Sequence, residues 1–274
     1  MTPDLGTERR RALVTGASSG IGAAFARRLG ADGFDLIVAA RRRDRLEALA
    51  EQLRRDAGVE VDVVEADLAD PDQLTQLEAR IAADAALELL VNNAGFGGYM
   101  PFVNLDPDQA EALIRVHVLA MTRLTRAALP DMIQNGRGAI INVASLLAFT
   151  GSIPPQPLPH RATYAAAKAC MVTFTQALAN ELQDTGVRLE VLCPGLVKTE
   201  FHEVAGFDRA QLPFPPMEPE EVVDAALIGL ELGEVICVPG LEDPALIERA
   251  TDQQRAIFQM AVPGPLAHRY AAGR

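Results

Sequence analysis

Short apolar runs alternate with longer segments of helical period along most of this 274-residue chain. Seven runs have the length and composition of buried strands, namely Ala12–Thr15, Asp35–Ala40, Val59–Glu65, Leu87–Asn92, Ala139–Ser145, Arg188–Cys193 and Glu234–Val238. The intervening segments repeat apolar residues at three- and four-residue intervals, as amphipathic helices do. This alternation is typical of a parallel sheet with helices on both faces. We therefore predict a doubly wound α/β fold of about seven strands in one domain, residues 1–274.

Charge and cysteine content exclude several classes of function. The chain has 37 acidic and 25 basic side chains, a formal net charge of −12, and its basic cluster at Arg41–Arg43 is short, so we predict no nucleic-acid partner. The three cysteines, Cys170, Cys193 and Cys237, lack metal-ligand or redox spacing. We expect reduced thiols in a cytoplasmic protein without a metal site. No apolar run has membrane-spanning length, so we expect neither a membrane anchor nor a signal peptide.

Two long helices and two proline-rich loops stand out in the second half of the chain. The periodicity predicts one helix from Pro107 to Asn135 and another from Ala162 to Gly186, with Gly186 as a left-handed terminator. The proline-rich stretches 146–161 and 195–217 are irregular. Long loops in so regular a domain are more often lids and substrate walls than linkers. A last helix is predicted from Pro244 to Met260, within a C-terminal segment of about 244–274.

A glycine-rich turn, TGASSGIG, follows the first predicted strand and opens the first helix, from Thr15 to Gly22. Gly16 permits a sharp turn, Gly20 permits close approach of a ligand to the backbone, and Gly22 permits tight packing of helix on strand. The free N–H groups of the helix N-terminus would then point at a pyrophosphate. The alternative is a purely structural turn between strand and helix.

Seven short motifs occur in order along the chain: TGASSGIG at Thr15, AARRR at Ala39, ADL at Ala66, NNAG at Asn92, NVAS at Asn142, YAAAK at Tyr164 and PGLVKT at Pro194. With these motifs the chain resembles the short-chain dehydrogenase/reductase family, in its single-domain form. The resemblance covers nearly the whole chain, and it implies a Rossmann-like dinucleotide-binding fold and oxidoreductase activity. It also implies assembly into a homodimer or homotetramer through the helices at about 107–135 and 162–186.

The end of the second predicted strand indicates which dinucleotide is bound. An acid there would hold the ribose 2′-hydroxyl, whereas arginine accommodates a 2′-phosphate. Arg41 and Arg42 follow Ala40 and the end of the strand has no acid, so we predict NADP(H). The resemblance implies Arg41 as the main contact, and Ser18 is expected to assist. The alternative is that the arginines are a solvated helix entry with Asp44 as its N-cap.

The resemblance implies a larger set of cofactor-binding residues. Asp67 and Leu68 resemble the adenine-contacting pair of the family, and 92–95 resembles its segment beside the cofactor, although buried asparagines there can also be purely structural. The full set is Thr15, Gly16, Ser18, Ser19, Gly20, Ile21, Gly22, Arg41, Arg42, Asp67, Leu68, Asn93, Ala94, Gly95, Tyr164, Lys168, Pro194, Gly195, Val197 and Thr199.

Tyr164 and Lys168 lie four residues apart and therefore share one face of the second long helix. A nearby ammonium lowers the pKa of a phenol, which would make Tyr164 a proton donor or acceptor near neutral pH. Ser145, at the end of the fifth predicted strand, can offer its hydroxyl to a substrate oxygen. The resemblance assigns these three residues to catalysis. The alternative for an isolated YxxxK is an ordinary pair on a helix surface.

The sequence departs from the family pattern at two places. Tyr164 follows Ser145 by 19 positions, several more than is usual, with the additional residues around GSIPPQP. We expect this insertion to bulge over the mouth of the active site. The alternative is that it displaces Ser145 or Tyr164 and impairs catalysis.

The second departure is His117, where the family usually has an asparagine that helps to hold a water in a proton route. A histidine has one donor and one acceptor when neutral and titrates near neutral pH, so we include His117 as a supporting catalytic residue that makes turnover sensitive to pH. The alternative is a histidine that only fills the core.

The segment after PGLVKT contains scattered apolar residues, namely Phe201, Phe207, Leu212, Phe214 and Met217. In this position they are expected to line a hydrophobic pocket in a substrate loop at about 195–217. The sequence therefore predicts an NADP(H)-dependent oxidoreductase for an apolar ketone, aldehyde or secondary alcohol. Two alternatives stay open: an NADPH-binding scaffold or redox sensor without turnover, and an NAD-dependent alcohol dehydrogenase.

Overall fold

A computed structural model describes residues 10–156, 158–201, 214–262 and 264–271. Contacts within the chain divide it into a first unit that ends at Pro239 and a second that starts at Gly240. Each unit is described by itself, and the single domain over residues 1–274 stays a prediction.

The first unit contains a seven-stranded parallel sheet in the order β3, β2, β1, β4, β5, β6, β7. Its strands are β1 (Arg11–Thr15), β2 (Asp35–Ala40), β3 (Val61–Glu65), β4 (Leu87–Asn92), β5 (Gly138–Val143), β6 (Val187–Leu192) and β7 (Ile236–Cys237). The doubly wound α/β fold is thus confirmed. Two of the predicted strand bounds were wrong. Strand β5 ends at Val143, so Ser145 lies in the connection beyond the strand. Strand β7 is only two residues long.

Helices cover both faces of this sheet. They are α1 (Gly20–Ala31), α2 (Arg43–Ala57), α3 (Pro71–Ala82), α4 (Pro107–Ile114), α5 (Met121–Gln134), α6 (Ala162–Glu181) and α7 (Pro219–Leu232). One core, on the side of α1, α2 and α7, includes Phe25, Leu46 and Val222. The other, on the side of α3 and α5, includes Leu77 and Leu124.

The predicted helix from Pro107 to Asn135 is present, but it is not α-helical throughout. Between α4 and α5 the turn Arg115–Ala120 is π-helical, and His117 lies within it. Such wider turns occur frequently at functional sites because they alter the direction in which a side chain points.

The second long helix ends earlier than predicted. Helix α6 stops at Glu181, and Gly186 instead forms the turn into β6 with φ = 77°. A Cβ atom at this position would overlap the carbonyl oxygen of Gly136, so the glycine is needed for a close approach between two loops.

The order of the strands reverses between β1 and β4, since β2 and β3 extend the sheet on one side and β5 to β7 on the other. Ligands of open α/β sheets bind at such a reversal, beyond the carboxyl ends of the strands. The motifs that follow β1, β4, β5 and β6 therefore meet at one edge.

The second unit contains α8 (Ala245–Ala261) and α9 (His268–Ala271). Helix α8 confirms the predicted C-terminal helix with bounds shifted by one residue. Throughout the described ranges, every helix is too short or too polar to cross a membrane.

Candidate active site

Thr15, the last residue of β1, ties the glycine-rich turn to β4. Its buried hydroxyl donates to the carbonyl of Val91 at 3.2 Å and accepts from the N–H groups of Asn93 at 2.9 Å and Ala94 at 3.0 Å. The side-chain amide of Asn93 donates to the carbonyl of Thr15 at 2.9 Å. These bonds hold the two sides of the crevice in fixed relative positions.

The glycines of the turn occupy places where a side chain would not fit. Gly16 and Gly20 have φ values of 68° and 55°, in the left-handed region. A Cβ atom on Gly22 would overlap the carbonyl of Gly16 and the amide of Asn93, and one on Gly20 would lie 2.9 Å from Cγ2 of Thr199. The turn is therefore an open backbone cradle at the N-terminus of α1, which fits the pyrophosphate of a dinucleotide. Ile21, at the start of α1, packs against the core.

Arg42, rather than Arg41, lies against this turn. Its Nε and Nη2 atoms donate to Oγ of Ser18 at 3.1 and 3.0 Å, and Nη2 donates to Oγ of Ser19 at 2.6 Å. Arg41 is exposed. The structure thus places Arg42 against the serines, while the role of Arg41 as the main contact of the 2′-phosphate stays a prediction.

Glu200 contacts the same arginine from the other side of the crevice. Its carboxylate accepts from Arg42 at 3.0 Å and from Arg45 at 2.8 Å, and these two guanidinium groups hold the pKa of Glu200 below its usual value. All three side chains are about half exposed, so solvent screens the attraction and its contribution to stability is small.

Other residues predicted for the cofactor lie at the same edge of the sheet. Asp67 follows β3 and accepts from the N–H of Ala69 at 2.9 Å, and Leu68 is buried. Pro194 follows β6 and its carbonyl accepts from Leu146 at 2.8 Å. Next come exposed Gly195, buried Val197 and half-buried Thr199, beside Gly20.

Ser145 and Tyr164 meet in spite of the long connection between them. Ser145 lies just beyond β5, and its Oγ accepts from the N–H of Leu147 at 3.1 Å. Its hydroxyl lies near enough to the buried phenol of Tyr164 on α6 to lower the pKa of that phenol. The insertion therefore does not separate the two side chains. The alternative in which it displaces one of them is not what the structure shows.

Lys168 is one turn of α6 beyond Tyr164 and is also buried. Its Nζ atom donates to the carbonyl of Val143 at 2.7 Å and lies 5.6 Å from the centre of the Tyr164 ring. Burial lowers the pKa of Lys168 to about 7, since removal from water disfavours the ammonium.

The expected lowering of the Tyr164 pKa is not found in this structure. Burial raises that pKa above its usual value and outweighs the hydrogen bonds from Ser145 and Tyr99, which both lower it. The physical reason is that the phenol is surrounded by protein, while the ammonium of Lys168 points towards Val143 and is itself disfavoured by burial.

His117 is held in place by the loop that follows β4. Its Nε2 atom is 2.9 Å from the carbonyl oxygen and 3.2 Å from the amide nitrogen of Phe96, and its ring lies edge-on to Tyr164 with centroids 5.5 Å apart. The Nδ1 atom is buried and has no hydrogen-bond partner among the described residues. Burial and the charge of Lys168 lower the pKa of His117 well below its usual value, so the predicted titration near neutral pH was wrong.

A network of buried amides and hydroxyls positions α6 against the sheet. The Nδ2 atom of Asn92 donates to Oδ1 of Asn142 at 2.9 Å, and Nδ2 of Asn142 donates to the hydroxyl of Thr175 on α6 at 2.9 Å. These asparagines therefore have a structural role, which was one of the two alternatives given for the asparagines of the segment 92–95.

Arg161, which the sequence did not single out, closes the insertion. It is the residue immediately before α6 and is only 7% exposed. Its guanidinium donates to the hydroxyl and the carbonyl of Thr150 at 2.7 and 2.9 Å, to the carbonyl of Ile153 at 2.8 Å and to that of Pro159 at 2.9 Å. Arg161, three residues before Tyr164, thus holds both ends of the proline-rich loop together through hydrogen bonds.

Two aromatic rings also surround the phenol of Tyr164. Tyr99 contacts it in a T-shaped arrangement with ring centroids 5.5 Å apart, and Phe201 lies at 5.9 Å. Tyr99 comes four residues after the NNAG motif, and its aromatic character at the end of a glycine-rich loop was the only signal that could have identified it.

The substrate loop is described only in part. Its two ends are joined where Val197 pairs with Met217, and Met217 packs on the core of the first unit. Phe214 is exposed, while Phe207 and Leu212 lie outside the described residues.

Comparisons with known proteins identify the family of this chain. The family model described as short chain dehydrogenase matches residues 10–209. An uncharacterized oxidoreductase of Myxococcus xanthus is 35% identical over 226 residues, which cover 82% of this chain and 85% of that protein. Another from Staphylococcus aureus is 32% identical over 222 residues, covering 80% and 90%.

Two solved structures are similar over almost their full length. A short-chain dehydrogenase from Sphingobium yanoikuyae in complex with NADPH has a TM-score of 0.89 and 36% identity, covering 95% of this chain and 100% of that one. The bulky-bulky ketone specific alcohol dehydrogenase from Comamonas testosteroni has a TM-score of 0.85 and 30% identity, covering 96% and 99%. The motifs, the sheet order and these matches lead to one conclusion: this chain is an oxidoreductase and belongs to the short-chain dehydrogenase family.

Proposed function

We propose that the protein is an NADP(H)-dependent oxidoreductase that interconverts an apolar ketone or aldehyde and the corresponding alcohol. The observation that carries this proposal is the buried phenol of Tyr164, which has the Ser145 hydroxyl on one side and Lys168 Nζ at 5.6 Å from its ring centre. The NADPH complex and the ketone specificity named for the two structural neighbours support it.

The preference for the phosphorylated cofactor rests on Arg42. Its guanidinium is joined to Ser18 and Ser19 on the glycine-rich turn, where the adenosine ribose of a dinucleotide would lie. A 2′-phosphate at this place would meet one guanidinium and two hydroxyl donors, which suits a dianion. In this proposal Arg41 has no direct part.

The chain's own residues would handle the oxygen and the proton of the substrate. Ser145 would donate a hydrogen bond to the substrate oxygen and hold it next to the phenol of Tyr164. In the reductive direction Tyr164 would give its proton to that oxygen, and in the oxidative direction it would accept the proton. When bound, the nicotinamide would exchange the hydride with the substrate carbon. Lys168 lies close enough to support Tyr164, and its lowered pKa lets it release or take up a proton near neutral pH.

An apolar substrate is inferred from what surrounds the phenol. Tyr99 and Phe201 present rings to Tyr164, and the loop closed by Arg161 adds exposed apolar side chains at Leu146, Phe149 and Ile153. Apolar surface of this kind accommodates bulky carbon substituents on both sides of a carbonyl.

Assembly into a dimer or tetramer is a further part of the proposal. Ile114, Leu119 and Ile133, along the helix that runs from α4 to α5, are each at least 40% exposed. We expect these side chains to contribute to a contact with a second copy of the chain. Sedimentation of the purified protein measures the assembly directly, and a monomer at micromolar concentration would contradict this part.

The decisive experiment follows the loss of NADPH absorbance with a panel of apolar ketones and aldehydes. We expect turnover by the wild type and a loss of at least about 100-fold in kcat for Tyr164→Phe, because general acid catalysis contributes that much. Tyr270→Phe, at an exposed tyrosine in the second unit, is the matched control.

NADPH binding is measured in the same samples by fluorescence. Binding without turnover on any substrate of the panel would favour a scaffold or redox sensor. Turnover that survives in Tyr164→Phe would refute the assigned proton transfer.

A further inference from the structure

The loop between β4 and α4 is held rigidly over the active site. Phe96 of this loop contacts Nε2 of His117 through both its backbone N–H and its carbonyl. A Cβ atom on Gly98 would lie 2.9 Å from the side chain of Leu113, so the backbone packs closely on α4. Tyr99 follows directly in the chain.

Tyr99 contacts the catalytic phenol with its ring. The two rings are T-shaped with centroids 5.5 Å apart, and the Tyr99 hydroxyl lies near enough to Tyr164 to lower the pKa of its phenol. Phe201 lies 6.4 Å from Tyr99 and 5.9 Å from Tyr164, which keeps the pair in apolar surroundings.

We propose that Tyr99 is a positioning residue for Tyr164: its hydroxyl donates a hydrogen bond to the Tyr164 oxygen and stabilises the phenolate that forms when the proton is transferred. The proposal rests on the function proposed above. In reduction the Tyr164 proton passes to the substrate oxygen and Tyr99 keeps its own proton, so a neutral donor faces the new negative charge.

The groups around Tyr164 support this division of roles. The titratable groups that face the phenol or its neighbours are Lys168 on α6, His117 in the π-helical turn, Cys193 after β6 and Tyr99 itself. Lys168 is directed to the carbonyl of Val143, and burial keeps the pKa of His117 low, so neither places a cation at the phenol oxygen in this structure. Ser145 and Tyr99 lower the pKa of Tyr164 although burial outweighs them, and burial also raises the pKa of Tyr99 well above its usual value. In this proposal Tyr99 keeps its proton while Tyr164 ionises.

Tyr99→Phe tests the proposal because it removes the hydroxyl and keeps the ring. The chain has three tyrosines and no tryptophan, so protein labelled with ¹³C at the tyrosine Cζ atom gives one resonance each for Tyr99, Tyr164 and Tyr270. We expect Tyr99→Phe to move the Tyr164 resonance in the free protein, while the control Tyr270→Phe leaves it in place. Melting curves check that both variants stay folded.

The second readout is the pH profile of kcat/KM for alcohol oxidation, in which Tyr164 must be ionised. Loss of the Tyr99 donor raises the pKa of Tyr164, so the part of the profile in which kcat/KM increases with pH should shift to higher pH by about one unit. At a fixed pH within that part, kcat/KM should be about ten-fold lower than in the wild type. Tyr270→Phe should leave this part of the profile unchanged.

The two readouts also separate this inference from the proposed function. If Tyr164→Phe abolishes turnover but Tyr99→Phe moves neither the Tyr164 resonance nor this part of the pH profile, only the role of Tyr99 is overturned. A moved resonance with an unmoved pH profile overturns it as well. If Tyr164→Phe retains turnover, the proton-transfer proposal fails, and the resonance still reports whether Tyr99 bonds to Tyr164.

Discussion

The two ends of the active site are built by different means. At the cofactor end, the contacts come from backbone groups and small side chains: left-handed glycines at 16 and 20, the hydroxyl of Thr15 and the N-terminus of α1. At the substrate end, they come from large side chains on loops, namely Tyr99, Arg161 and Phe201.

The difference follows from what each end must accommodate. A backbone cradle allows few residue types, because a Cβ atom on Gly22 would overlap the chain itself. The substrate end relies on side-chain contacts instead. Arg161 bonds to the carbonyls of Thr150, Ile153 and Pro159, and these bonds form only in a loop of this length and backbone conformation. The proposed cofactor end can thus be recognised from a motif, while the proposed substrate end depends on contacts between residues distant in sequence.

Arg161→Met should produce the largest effect and should be confined to the substrate end. The variant leaves buried carbonyls without their donor, so we expect a loss of about 3 kcal/mol in the free energy of unfolding and a raised KM for the ketone. The Kd of NADPH should stay unchanged. Chemical denaturation and NADPH fluorescence measure the two effects, with the exposed Arg126→Met as control. Equal weakening of NADPH binding would show that the two ends are not independent.

Arg42→Ala should produce an intermediate effect at the cofactor end alone. Loss of the guanidinium should weaken NADPH binding by roughly 30-fold and leave NADH binding nearly unchanged, because only the former carries the 2′-phosphate. The matched control is Arg41→Ala, at the neighbouring exposed position. Titrations of both variants with both cofactors decide the point. A larger loss in Arg41→Ala would restore the assignment made from the sequence.

His117→Asn lies between the two ends and should have the smallest effect. We propose that neutral His117 supports proton exchange through its buried Nδ1 atom, so its replacement should lower kcat a few-fold without altering either binding constant. Because its pKa is held well below the usual value, His117 keeps its charge state near neutral pH. The pH–rate profiles should therefore have the same shape in both proteins. If kcat changes with pH near neutrality in the wild type but not in His117→Asn, His117 titrates in that range and this prediction is wrong.

Much of the fold and of the cofactor end could be predicted from the sequence. The seven strands and the glycine-rich turn follow from local patterns, since apolar periodicity and glycine positions act within a few residues. Ser145, Tyr164 and Lys168 also meet as expected.

The remaining features depend on packing, which no local pattern reports. Which of two adjacent arginines faces Ser18 is decided by the direction of the chain at the start of α2. The raised pKa of Tyr164 and the lowered pKa of His117 come from burial by elements distant in sequence. Arg161 carried no signal, because its importance lies in carbonyls of a loop whose course could not be predicted.

The position of Arg161 has a consequence for protein engineering. Arg161 bonds to the insertion at Thr150 and immediately precedes α6, so the insertion and the helix that carries Tyr164 are held by the same residue. Loop grafts from relatives with a shorter connection would discard these bonds together with the loop. A library that aims at new substrates should therefore keep Thr150 and Arg161 constant and vary only the residues between them.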